Sequence, residues 1–91
     1  MTDAGLRARA LADQATAAAL DADWTRASEL NQKILEAAPE DVEARNRLGR
    51  ALIELGKLDE AKAAFAEVLK TEPYNSIAIR GNSRVTTLQE H

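Results

Sequence analysis

The side chains of this sequence best placed to do chemistry are its arginines. Arg47 and Arg50 lie three residues apart and Arg80 and Arg84 four apart, so on a helix each pair shares one face. A guanidinium presents a planar fork of N–H donors that meets a carboxylate in bidentate fashion. Two such pairs on neighbouring helices would suit an acidic or carboxylate-terminated peptide. The alternative is that these arginines are solvated, or pair with Glu43, Glu54 and Glu90, as surface charges commonly do.

Other chemistries find little to work with. The single histidine, His91, is the last residue, and at a mobile terminus it is expected to be inert. There is no cysteine, which removes disulfides, thiolate metal sites and cysteine nucleophiles and fits a reducing compartment. The four glycines are scattered and none precedes a Lys-Ser/Thr pair, so no phosphate-cradling loop is present. Carboxylates are numerous but stand beside lysines, as Glu54 and Asp59 do around Lys57, a spacing that predicts pairing on a solvated surface. No metal-ligand spacing occurs. Without a nucleophile, base or metal constellation, the chain is expected to be neither an enzyme nor a cofactor carrier. A net charge of −3 argues against nucleic acid as a partner. No apolar run approaches the roughly 20 residues that span a bilayer, and Met1-Thr2-Asp3-Ala4-Gly5 lacks the basic and apolar regions of a secretory signal. A cytoplasmic protein with no membrane partner is expected.

The elements that carry these arginines follow from composition and period. Ninety-one residues suit one domain, and nineteen alanines against three aromatic residues favour helices. Pro39 and Pro73 are 34 residues apart, and the same shift lays Trp24 on Leu58, Ala22 on Gly56, Ala27 on Ala61, Ile34-Leu35 on Val68-Leu69, and Ala15 on Gly49. A period of that length marks a repeated helix pair. In the first pair Asp3 caps a helix over 3–20, Asp21-Ala22-Asp23 turns the chain, and a second helix over 24–37 is stopped by Pro39. In the second pair Asp41 caps a helix over 42–55, with Ala44, Leu48, Ala51, Leu52 and Leu55 on one face. Gly56 supplies a left-handed helix end, Asp59 and Glu60 sit in the first turn of the next helix, and Ala61, Ala64, Phe65, Val68 and Leu69 form its apolar stripe up to Pro73. A fifth helix, capped by Asn75 or Ser76, runs to about 89. Tyr74, Ala78, Val85 and Leu88 are expected to pack back on the second pair. Asn82, Ser83 and Thr86, with Ile79 the one apolar residue among them, face outward as a polar cap.

Residues 42–75 resemble the tetratricopeptide repeat family: Leu48-Gly49, Leu52, Gly56, Leu58, Ala61, Phe65, Val68 and Pro73 stand at its packing positions, and Trp24, Ala27, Ile34 and Pro39 carry the pattern in the first copy. There are departures. Arg45 stands where the family often has Trp, Leu52 and Leu58 where Tyr is common, and Gln14, Ala18 and Asn31 replace larger apolar residues. The resemblance implies an all-α domain over 1–91: two helix-turn-helix repeats (about 3–39 and 41–73) plus a C-terminal capping helix (about 75–89), five helices in a right-handed superhelical stack with a concave groove. It places Asn46, Arg50, Arg80 and Arg84 in that groove, beside Arg47, with Arg9 and Thr16 as approximate counterparts on the first helix. It makes Trp24 a packing residue at an inter-helix turn. Some members clamp a C-terminal carboxylate with a Lys/Asn set. Here Ala12 replaces the first lysine and the groove helices carry no lysine, so that clamp is not expected.

The implied function is a scaffold that binds a peptide or helix of a partner protein, acidic ones among them, through an arginine-containing groove. The competing expectation is homo-oligomerisation with no separate ligand. Two repeats and a cap fall short of the three usually needed for stability. The first helix also bears small or apolar residues on two sides: Leu6, Ala10, Gln14 and Ala17 on one, Leu11, Ala15, Ala18 and Ala19 on the other.

Overall fold

The computed structural model describes residues 3–90. Its elements are five helices: α1 (Asp3–Leu20), α2 (Trp24–Ala37), α3 (Val42–Glu54), α4 (Leu58–Thr71) and α5 (Ser76–Gln89). His91 lies outside the described residues. None of these helices is long and apolar enough to cross a membrane.

Local signals set the boundaries. The side chains of Asp23, Asp41 and Asn75 accept hydrogen bonds from the N–H groups of Arg26 (3.2 Å), Ala44 (3.0 Å) and Ala78 (3.0 Å). Each satisfies a donor that the first helical turn leaves free. Helix α4 follows Lys57, which makes no side-chain cap, and has Asp59 and Glu60 in its first turn instead, where negative charge complements the helix dipole. Asp3 is the first described residue of α1 and puts negative charge in its opening turn. Helix α3 stops one residue early, leaving Leu55 as its C-cap.

The turns within the two helix pairs, α1–α2 and α3–α4, use the same backbone device. Gly56 adopts φ +78° after α3, and Ala22, one repeat earlier, adopts φ +58° after α1. For glycine this region is free. An alanine there crowds its Cβ against the following carbonyl, at roughly 1–2 kcal/mol.

Each helix packs on its successor, and α5 also returns to α3. Two apolar clusters result. Leu48, Leu52, Ile53, Ala61, Phe65, Val68, Ala78 and Val85 fill the C-terminal half, with Leu58 and Leu69 packed against them. Ala15, Ala18, Ala27, Leu30 and Ala51 form the smaller N-terminal cluster, with Leu11, Ala19 and Trp24 against it. The Leu11–Ala19 side of α1 thus faces the core, while Leu6, Ala10, Gln14 and Ala17 face out. Phe65 is the keystone of the larger cluster. A Cβ on Gly49 would come within 2.5 Å of its ring and one on Gly81 within 2.4 Å, so the ring occupies space that two glycines leave open.

Two expectations for the fifth helix need correction. Tyr74 is 91% exposed and Leu88 41%; only Ala78 and Val85 pack inward. Tyr74 directly precedes Asn75, whose side chain is committed to capping α5, and the turn carries the ring away from the core. The expected Lys57 pairing is also replaced. Glu54 meets Arg84 at 3.1 Å, and Asp59 accepts from Gln89 Nε2 at 2.8 Å.

Candidate functional site

Two slots open between successive odd-numbered helices. The C-terminal slot has a volume of about 360 Å³. Helix α3 lines it with Asn46, Arg50 and Ile53, α5 with Ile77, Arg80, Gly81 and Arg84, and Phe65 forms its floor. Gly81 leaves room for the Phe65 ring to reach this floor.

Asn46 is the buried polar centre of this slot, only 6% exposed. Its Nδ2 donates to Asn75 Oδ1 at 3.2 Å. Asn75 Oδ1 also accepts from the Ala78 N–H, and Asn75 Nδ2 donates to Glu72 Oε1 at 3.1 Å. These bonds fix which way the Asn46 amide points and leave its Oδ1 buried without a partner. An unpaired buried acceptor costs about 1–3 kcal/mol. The arginines around it divide into two kinds. Arg84 is tied to Glu54. Arg80 makes one long bond, 3.4 Å, to the carbonyl of Ser76, and Arg50 stacks its guanidinium 5.4 Å from the centroid of the Trp24 ring. Among the described residues neither Arg50 nor Arg80 pairs with a carboxylate.

The N-terminal slot, of about 450 Å³, is lined by Ala15, Thr16, Ala19 and Leu20 of α1, Trp24, Ala27 and Asn31 of α2, and Arg47 and Arg50 of α3. Its floor is polar where the other is aromatic. Buried Asn31 donates from Nδ2 to Ala27 O at 2.9 Å and accepts from Arg47 Nε at 3.0 Å. Arg47 also lies 4.0 Å from Glu43.

The two slots are the same place in successive helix pairs. The 34-residue shift takes Thr16 to Arg50, Ala19 to Ile53, Asn31 to Phe65, Arg47 to Gly81 and Arg50 to Arg84. Arg50 belongs to both.

Of the residues singled out in the sequence, Asn46, Arg50, Arg80 and Arg84 come together in the C-terminal slot, while Thr16 and Arg47 line the other with Arg50. Arg9 is exposed on α1 and lines neither. Arg47 shares a helix with Arg50 but turns to Asn31 and Glu43. Sequence reasoning missed Ile53, Phe65 and Gly81 as slot residues and Trp24 as a wall. The 34-residue shift carries a usable signal for the walls, since it relates Thr16, Arg50 and Arg84. No group of three or more acidic or histidine side chains is placed to hold a metal among the described residues. The C-terminal slot thus sets guanidinium groups beside apolar walls.

The family model of the tetratricopeptide repeat matches residues 18–80. No curated protein matches the chain.

Proposed function

From a chain that belongs to the tetratricopeptide repeat family, whose repeats generally mediate protein–protein interaction, we propose a non-catalytic scaffold that binds an acidic peptide segment of a partner protein across α3 and α5. The observation that carries this reading is the pair of slot-lining guanidinium groups, Arg50 and Arg80, that meet no carboxylate among the described residues. An extended peptide brings backbone N–H groups and side-chain carboxylates together. Arg50 and Arg80 donate to the carboxylates, where charge-assisted bonds are short and strong. Phe65 and Ile53 supply an apolar floor that excludes water beneath those contacts. Arg84 is neutralised by Glu54, so the positive charge of the slot comes from Arg50 and Arg80.

Calorimetric titration with peptides rich in Glu and Asp tests the reading. Wild type binds, more weakly as salt rises. Arg50→Glu combined with Arg80→Glu abolishes binding, with helical circular dichroism retained. Affinity unchanged in the charge-reversed protein removes the proposal. Sedimentation over a range of concentrations addresses the competing self-association; a monomer at tens of micromolar counts against it.

A further inference from the structure

The geometry points to a second subsite: the N-terminal slot accepts a bulky apolar side chain of the same peptide, seated against Trp24, while Arg50 holds a carboxylate two residues away. This inference rests on reading the groove as a peptide site and adds what the peptide must carry.

Three observations support it. First, the slot lacks the volume that its counterpart supplies from within. Where the C-terminal slot has Phe65 and Ile53, the N-terminal one has Asn31 and Ala19, and it is the larger of the two, about 450 against about 360 Å³. Second, its upper walls are apolar and open. Leu20 is 83% exposed, and Trp24 is half-buried with Ala19 beside it. A side chain covering them removes apolar surface from water on both partners. Third, the charge at its edge selects the neighbour. Arg50 lies over Trp24 at 5.4 Å and pairs with no carboxylate among the described residues. Alternate side chains of an extended strand point the same way, about 6.5–7 Å apart. A side chain entered against Trp24 therefore delivers the next one on its face to Arg50. The ligand is an acidic peptide with Phe or a large aliphatic residue two positions from Asp or Glu.

Trp24 is the only tryptophan in the chain, so its emission reads the slot directly. The probes are acetylated, amidated Gly-Ser peptides with two Glu residues, differing in whether Phe or Ala stands two positions from the first Glu, in either order. The Phe peptide binds about tenfold more tightly or better than the Ala peptide, as burial of one aromatic side chain implies, and it shifts Trp24 emission at saturation. In Thr16→Phe, where the slot is filled from α1, the preference for Phe falls below about twofold. In Ala17→Phe, which adds the same bulk on the exposed side of α1, it persists. If Thr16→Phe loses its helical spectrum, Ala19→Leu fills the slot in its place. Acidic peptides that bind with no Phe preference, or a preference that survives slot filling, overturn the subsite and leave the groove standing. No binding by any of these peptides overturns the groove and the subsite together.

Discussion

Asn31 and Phe65 stand at the same point of successive helix pairs, each under its own slot, and they hold that point by different means. Phe65 fills space, and Gly49 and Gly81 give up their side chains so that the ring fits. Asn31 fills less space and is held by directional bonds to Ala27 and Arg47. In the C-terminal half stability comes from area and close packing. In the N-terminal half, where alanines make up most of the cluster, hydrogen bonds take a larger share. The difference teaches that one backbone geometry can be kept while its core is exchanged for a polar pair, at the expense of volume that a ligand can then occupy.

The largest expected effect separates the two modes. Phe65→Ala opens a cavity in the main cluster and lowers unfolding free energy by about 3–5 kcal/mol. Asn31→Ala removes two hydrogen bonds and lowers it by about 1–2 kcal/mol. Urea denaturation of both variants decides the matter; equal losses would show that the two positions are not held differently. Next comes the space under the ring. Gly81→Ala places a methyl within 2.4 Å of Phe65 and forces a shift costing about 1–3 kcal/mol, visible as a lower melting temperature.

The turns allow a smaller exchange. Gly56→Ala is expected to destabilise by about 1 kcal/mol, whereas Ala22→Gly relieves left-handed strain and stabilises by up to about 1 kcal/mol. Opposite signs in thermal melts sharpen the comparison, and matching signs would break it. The smallest effect concerns charge order near the ends of the even-numbered helices. Lys70 lies 2.9 Å from Glu67, and its hydrogen bond and positive charge hold the Glu67 carboxyl below its usual value. One repeat earlier the order is reversed, Lys33 then Glu36, and that pair forms no ion pair among the described residues. Glu before Lys agrees with the helix dipole, and the reverse order opposes it. A depressed carboxyl stabilises the fold above its unfolded value, and that contribution is lost as pH falls through the folded value. In Lys70→Ala the Glu67 carboxyl titrates at higher pH by carbon NMR, and the acid-side loss of stability attached to it disappears.

Much of the fold was legible because its determinants are local. Asp41 and Asn75 as caps, Gly56 as a left-handed end and the prolines as stops act within a few residues of where they stand. Ala78 and Val85 were read as inward-facing, though the same reading put the exposed Tyr74 and Leu88 with them. Gly81 was not, because the residue 34 positions earlier is Arg47 and only the position of the Phe65 ring shows why a side chain is missing. The Arg47–Asn31 bond and the Arg50–Trp24 stack join residues far apart in sequence, and an arginine's reach leaves several acceptors open until the fold chooses one. The grouping of Asn46, Arg50, Arg80 and Arg84 could be read by resemblance, since those positions repeat. The orphaned Asn46 oxygen could not, because it depends on which way one amide turns.

The single guanidinium of Arg50 bounds both slots, and this has a consequence for how they fill. A carboxylate drawn toward Trp24 and one drawn toward Arg80 compete for the same donors. Under the proposed reading the two halves of the groove would therefore not act as independent receptors, and an occupant of one would alter the reception of the next. A short ligand would find them antagonistic. One long enough to share a single acid between them would find them joined.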